Sequence, residues 1–162
     1  MAMQYDVKSK HMSASGVAVN YRTRLKGAIV SADTTSATRN VVFADNVTQT
    51  GTYNIPGSTT CTVTITAHGL ATGDRVWLNF TTGSGATNNV YVVTVTAANT
   101  FTITTASLTT SGNVTMYASI LMEADTYYPA AYNVLIPGEG ILAESGIYVG
   151  LVANLTATIF YG

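Results

Sequence analysis

The chain has 162 residues, 47% of them apolar and only 9% charged, with a net charge of −1 and a single cysteine, Cys61. So little charge beside so much apolar content excludes an intrinsically disordered chain, which needs the opposite balance. One cysteine excludes an internal disulfide and any multi-cysteine metal site. What charge there is lies unevenly: residues 1–39 hold six cations against two acids (6 − 2 = +4), and residues 40–162 hold one cation against six acids (1 − 6 = −5). No stretch approaches the ~18 apolar residues of a membrane span. Nor does the start carry the apolar core of a secretory leader, because Asp6, Lys8 and Lys10 interrupt it. Assembly in a cytoplasm, with no membrane partner, is the expectation.

Taken in chain order, residues 1–16 show no strong periodicity and end in Ser13-Ala14-Ser15-Gly16, which predicts an extended N-terminal arm. Tyr21 to Ser31 alternates as a half-buried antiparallel strand does, Leu25 and Ile29 on one face and Arg24, Lys26 and Ala28 on the other. A short strand follows over Arg39–Ala44, closed by the turn signal Asp45-Asn46. Pro56-Gly57-Ser58 then opens a Thr-rich region with strands over 61–66, 74–80, 89–96 and 100–104, and Ser111-Gly112-Asn113 closes it. Beyond it come a strand over 116–122, a loop from Glu123 to Ala130, and a strand over 132–136 ended by Pro137-Gly138-Glu139-Gly140. A hairpin about Ala153-Asn154 completes the chain, joining 146–152 to 155–161.

Apolar positions recur with the period of strands throughout, not with the 3.6-residue period of helices. The predicted fold is all-β: an antiparallel β-sandwich, jelly-roll-like, over 17–56 plus 116–162, with a small β-barrel-like module over 57–115 inserted in one of its loops. A loop insertion of this size costs little, because closure entropy grows only logarithmically with length.

The chemistry of catalysis is hard to find. No Gly-x-Ser-x-Gly elbow is present, and Gly83-Ser84-Gly85 lacks the Lys and following helix of a phosphate loop. His68, before Gly69, reads as a turn residue capping a strand end, and Cys61, in phase with Val63 and Ile65, as a small buried hydrophobe. Glu123 and Asp125 could hold Ca²⁺ with loop carbonyls, although paired surface acids are much the commoner arrangement. Trp77, between Val76 and Leu78, reads as core or half-buried. Neither an enzyme nor a cofactor is predicted. The N-terminal cations form no dense patch and have no aromatics between them to stack bases, so the expected partner is protein and not nucleic acid. Tyrosine is abundant in the last segment and suits interfaces, because it buries area at low entropic cost. Candidate interface residues are Lys8, Lys10, Arg22, Arg24, Lys26, Tyr127, Tyr128, Glu139, Phe160 and Tyr161. The bland alternative for Arg22, Arg24 and Lys26 is the solvated face of one strand.

Two stretches resemble known proteins. Ala67-His68-Gly69-Leu70-Ala71-Thr72-Gly73-Asp74-Arg75-Val76-Trp77-Leu78, with Val92 to Ile103, resembles small β modules of bacteriophage tail and fibre proteins. The framing segments Gln4-Tyr5-Asp6-Val7-Lys8, Tyr21 to Gly27, Ile136-Pro137-Gly138-Glu139-Gly140-Ile141-Leu142 and Thr158 to Gly162 resemble a family of small virion structural proteins of tailed phages, cyanophages among them. The resemblance implies a virion component with no catalytic residues. Most concretely it implies a capsid decoration (cement) protein, a homo-oligomer such as a trimer, set on the major capsid protein or another virion structural protein. A tail, neck or fibre-attachment protein is the alternative, and a receptor- or glycan-binding module presenting Trp77 and Tyr91 is a further one.

Overall fold

The computed structural model describes residues 6–32, 39–126 and 130–162, and every regular element among them is a strand. In chain order these are β1 (Lys8–Met12), β2 (Gly16–Val19), β3 (Thr23–Ala32), β4 (Arg39–Asp45), β5 (Thr48–Thr64), β6 (Arg75–Phe80) and β7 (Asn89–Val92). They continue as β8 (Thr94–Ala97), β9 (Thr100–Tyr117), β10 (Ile120–Thr126), β11 (Ala131–Leu135), β12 (Ile141–Ala143), β13 (Ile147–Leu151) and β14 (Leu155–Tyr161). The chain divides into two compact units, Met1–Asn46 with Leu121–Gly162, and Val47–Ile120.

The first unit is a sandwich of two antiparallel sheets. One has the order β1-β14-β3-β11, with β12 also paired to β3, and the other the order β10-β4-β13-β2. Their facing sides bury Leu25, Val30, Phe43, Ile147, Val149, Leu155 and Ile159 in one core. β13 is buried along its whole length, the pattern of a central strand covered on both faces.

Several expectations for this unit change. Over Lys8–Met12 the expected arm is an edge strand paired to β14, Lys8 opposite Tyr161 and Met12 opposite Ala157. Its alternation is invisible because both faces of an edge strand with this exposure are wet. Ile29 does not share a face with Leu25. The register slips between Phe160 and Tyr161, which face Gly27 and Leu25 and leave Lys26 as the extra residue of a bulge. A bulge inverts the phase of alternation beyond it, so Ala28 and Val30 enter the core and Ile29 faces out, 38% exposed. The hairpin predicted about Ala153-Asn154 is a crossover: β13 belongs to one sheet and β14 to the other. Asn154 takes the left-handed conformation there, φ 64°, which asparagine tolerates better than most residues. The Arg39 guanidinium donates to the Ala153 carbonyl beside it. Finally, the strand expected over 116–122 is the end of β9 and the start of β10, and Glu123 and Asp125 lie within β10 and not in a loop.

The second unit is one sheet of order β5-β9-β6-β7, with β8 on the far end of β9. β5 and β9 pair from Thr48 opposite Tyr117 to Thr64 opposite Thr100. β7 and β8 are nearly continuous, so this run joins β6 to the distal half of β9, and the sheet bends around Ile55, Cys61, Val63, Val76, Leu78, Phe101 and Met116. Pro56-Gly57 does not separate two domains. It is an irregularity within β5, where the register shifts between Pro56 and Ser58 and Gly57 adopts φ 78°. Edge strands accept proline at such points. Ser111-Gly112-Asn113 likewise lies inside β9, where a Cβ on Gly112 would meet the Thr82 carbonyl at 2.4 Å. Gly51 is packed closer still, its Cβ position 2.0 Å from the Thr64 carbonyl.

Candidate interface surfaces

The register of the first sheet fixes which side chains share its outer face, since directly opposed residues point the same way. One row runs Ser9, Phe160, Gly27, Leu135, and the next runs His11, Thr158, Ile29, Asn133. None of these eight carries a carboxylate, guanidinium or ammonium group. Leu135 is 77% exposed at the edge, and Ile29 stands beside it. His11 Nδ1 lies 3.0 Å from Thr158 Oγ1, which ties the edge strand to its neighbour. Gly27 is required in the row above, because a Cβ there would sit 2.6 Å from the Val134 carbonyl. The result is a face of apolar, hydroxyl, imidazole and amide groups spanning four strands.

Beside that face, still in the first unit, lies a cleft of about 240 Å³ bordered by Asp6, Lys8, Tyr21, Arg22, Arg24 and Tyr161. The Lys8 ammonium stands 6.0 Å from the centroid of the Tyr21 ring, at the outer limit of a cation–π contact. Tyr161 has its phenol pushed above the ordinary value, first by burial, then by Tyr21 through charge and a side-chain hydrogen bond, against the opposing pull of Lys8.

Lys26 and Arg24 of β3, and Arg22 just before it, are spent on the loops that follow β11 and β12. Lys26 is buried and donates from Nζ to the Glu139 carbonyl at 2.8 Å, and Arg24 Nη1 reaches the Gly140 carbonyl at 3.4 Å. Arg22 forms an exposed ion pair with Glu144, Nε to Oε2 2.8 Å. Of the predicted interface residues, the structure thus gathers Lys8, Arg22, Arg24 and Tyr161 at the cleft, with Lys26 and Glu139 next to it. Phe160 lies on the uncharged face. Lys10 lines a separate depression with Val17, Asn20 and Asn46. Tyr127 and Tyr128 lie outside the described residues. Sequence reasoning missed Tyr21, Ile29 and Leu135. For Ile29 the signal was present but out of phase, and Leu135 and Tyr21 carry no mark that distinguishes them from core residues.

The groups weighed for chemistry have structural partners. His68 is 5% exposed, accepts from the Leu70 N–H at Nδ1 (3.0 Å), places Nε2 3.1 Å from the Ala97 carbonyl and packs edge-on to Phe101. That is the strand-capping role read from the sequence. Glu123 and Asp125 share one donor, Asn40 Nδ2, at 2.6 and 3.3 Å. Among the described residues no three His, Cys, Asp or Glu side chains gather as a metal site. Trp77 is fully buried, and Tyr91 stacks edge-on to Phe80 while its hydroxyl donates to the Thr87 carbonyl.

Cys61 is fully buried. Burial pushes its thiol from 9.0 up to about 11, against a weaker lowering by the Asn54 backbone. A thiol-specific reagent at neutral pH should label the native chain far more slowly than the urea-unfolded chain, because only thiolate reacts. The same shift links stability to pH. Below 9.0 both states keep the proton; between 9.0 and about 11 the unfolded state loses it first, so this group makes stability fall as pH rises through that window. Equal labelling rates in the two states would contradict the buried placement.

No family model matches the chain, and no curated protein matches it. Among solved structures it is similar to the phage phi92 endosialidase, at 24% identity and a TM-score of 0.31 over 78% of this chain. The match spans 21% of that protein's length. A likeness of that size says nothing of what this chain binds or does.

Proposed function

We propose that this chain is a structural subunit of a tailed bacteriophage particle, most concretely a decoration protein that stabilises the head by contacts with the major capsid protein, and that it turns over no substrate. The uncharged outer face of the first sheet carries the reading. Apolar surface removed from water contributes about 25 cal/mol per Å², and a face with Ile29, Leu135 and Phe160 but no charge gains by being covered. Large exposed apolar faces mark interaction sites. With only 9% charged residues in the chain, hydroxyl and amide groups must do much of the solvating, which suits a subunit that lives among neighbours. The sequence resemblance to small virion proteins points the same way, and repeated weak contacts in a lattice add up through avidity.

A second reading, a tail, neck or fibre-attachment component, rests on the resemblance of the second unit to modules of tail and fibre proteins. Quantitative mass spectrometry of purified particles separates the two. A copy number on the scale of the head lattice supports decoration, and a small multiple of the tail symmetry supports the alternative. Absence from intact particles overturns both.

A further inference from the structure

We infer that the cationic cleft of the first unit is a socket for the Glu139 carboxylate of a second copy of this chain. The inference rests on the reading of the chain as a structural subunit and names one contact through which copies associate. Among the described residues three cations, Lys8, Arg22 and Arg24, border the cleft together with Asp6 and Gly162, and Arg22 is also met by Glu144. A guanidinium, an ammonium and tyrosine hydroxyls are the donors that a carboxylate accepts best. Arg24 spends one of its five N–H donors on the long bond to Gly140, and the rings of Tyr21 and Tyr161 offer apolar walls for a carboxylate's methylene stem.

Glu139 has the geometry of a plug. It sits at the tip of Pro137-Gly138-Glu139-Gly140, where Gly138 and Gly140 take φ 69° and 79° and the space about the Gly138 Cβ position is open. Its backbone carbonyl is clamped by Lys26, so the turn is held while its side chain is exposed. Glu139 is not among the residues that border its own cleft. Plug and socket nevertheless sit on adjacent stretches of one strand, since Arg24 borders the cleft and Lys26 holds the turn. A patch that carries a cationic socket beside a projecting acid is self-complementary: a two-fold axis lets each copy fill the other's cleft. The opposite net charges of residues 1–39 and 40–162 favour the same encounter.

The test is sedimentation of the purified full chain. Glu139→Lys and Lys8→Glu should each weaken self-association about ten-fold or more, the scale of losing one partner of an interfacial charge pair. An equimolar mixture of the two variants should associate more tightly than either alone, because the ammonium introduced on the turn of one copy then meets the carboxylate introduced in the cleft of the other. Circular dichroism checks the fold, and Lys8→Gln replaces Lys8→Glu if the edge strand suffers. Native chain that stays monomeric, single variants that associate as the native chain does, or a mixture with no rescue each overturns the inference. Weakening by Lys8→Gln without weakening by Glu139→Lys overturns it too, since another group then fills the cleft. A monomer found in purified particles would end the socket and leave the structural-subunit reading standing.

Discussion

Phe43→Ala is expected to cost about 3–5 kcal/mol, the range for truncating a buried phenylalanine. Phe43 is fully buried on β4, between β10 and β13, and belongs to the core shared by both sheets of the first unit. Its loss is a transfer term plus a cavity term, and the cavity is hard to close. Its neighbours Ile147 and Val149 lie on a strand buried on both faces, with no free side to relax toward. Against a typical total of 5–15 kcal/mol, that loss is a large fraction of the stability. Urea denaturation followed by circular dichroism measures it, with Phe43→Leu as a smaller truncation expected to lose less than Phe43→Ala. A cost for Phe43→Ala below about 1 kcal/mol would mean that the two sheets do not close over this ring as described.

The all-β character was legible because it is written in every segment: β-branched residues, period-two alternation and turn residues in agreement. What was not legible shares one physical cause, that alternation reports burial only where one face is wet and the register is unbroken. β1 is exposed on both faces and β13 buried on both, so neither alternates. The bulge at Lys26 moves Ile29 from core to surface with no change in composition. Proline and glycine misled at Pro56-Gly57 and Ser111-Gly112, which read as boundaries. They serve within long strands, one as an edge irregularity and the other as room for the Thr82 carbonyl.

The cleft was half legible. Arg24 and Arg22 stood out, but their partners Gly140 and Glu144 lie 116 and 122 residues away, and no local pattern announces such pairs. Seen in the fold, the alternation of Arg22, Arg24 and Lys26 is a row of grips on the loops after β11 and β12. Those grips set the Glu139 turn beside the cleft. The solvated face read for Arg22, Arg24 and Lys26 therefore fails at Lys26, which is buried.

The same loops supply the second large effect. Asp45→Ala is expected to cost about 2–5 kcal/mol, because it leaves two N–H groups in a part-buried turn without an acceptor, each worth about 1–3 kcal/mol. Asp45 ends β4 and is only 6% exposed; its Oδ2 accepts from Glu144 N at 3.0 Å and its Oδ1 from Ser145 N at 2.9 Å. The next residues also hold the turn. Asn46 N donates to the Gly146 carbonyl at 3.0 Å, and Gly146 takes φ 108° with its Cβ position 2.1 Å from the Val19 carbonyl. Asp45→Asn keeps one acceptor oxygen and should lose roughly half as much. Glu144→Ala removes the neighbouring ion pair to Arg22, but both side chains there are more than half exposed, 61% and 65%. Water screens such a pair, so its loss should fall within about 1 kcal/mol. Urea denaturation of the three variants ranks them. If Asp45→Ala costs no more than Glu144→Ala, the turn is held by something other than this carboxylate, and the order of buried over exposed charge fails where both act on adjacent residues.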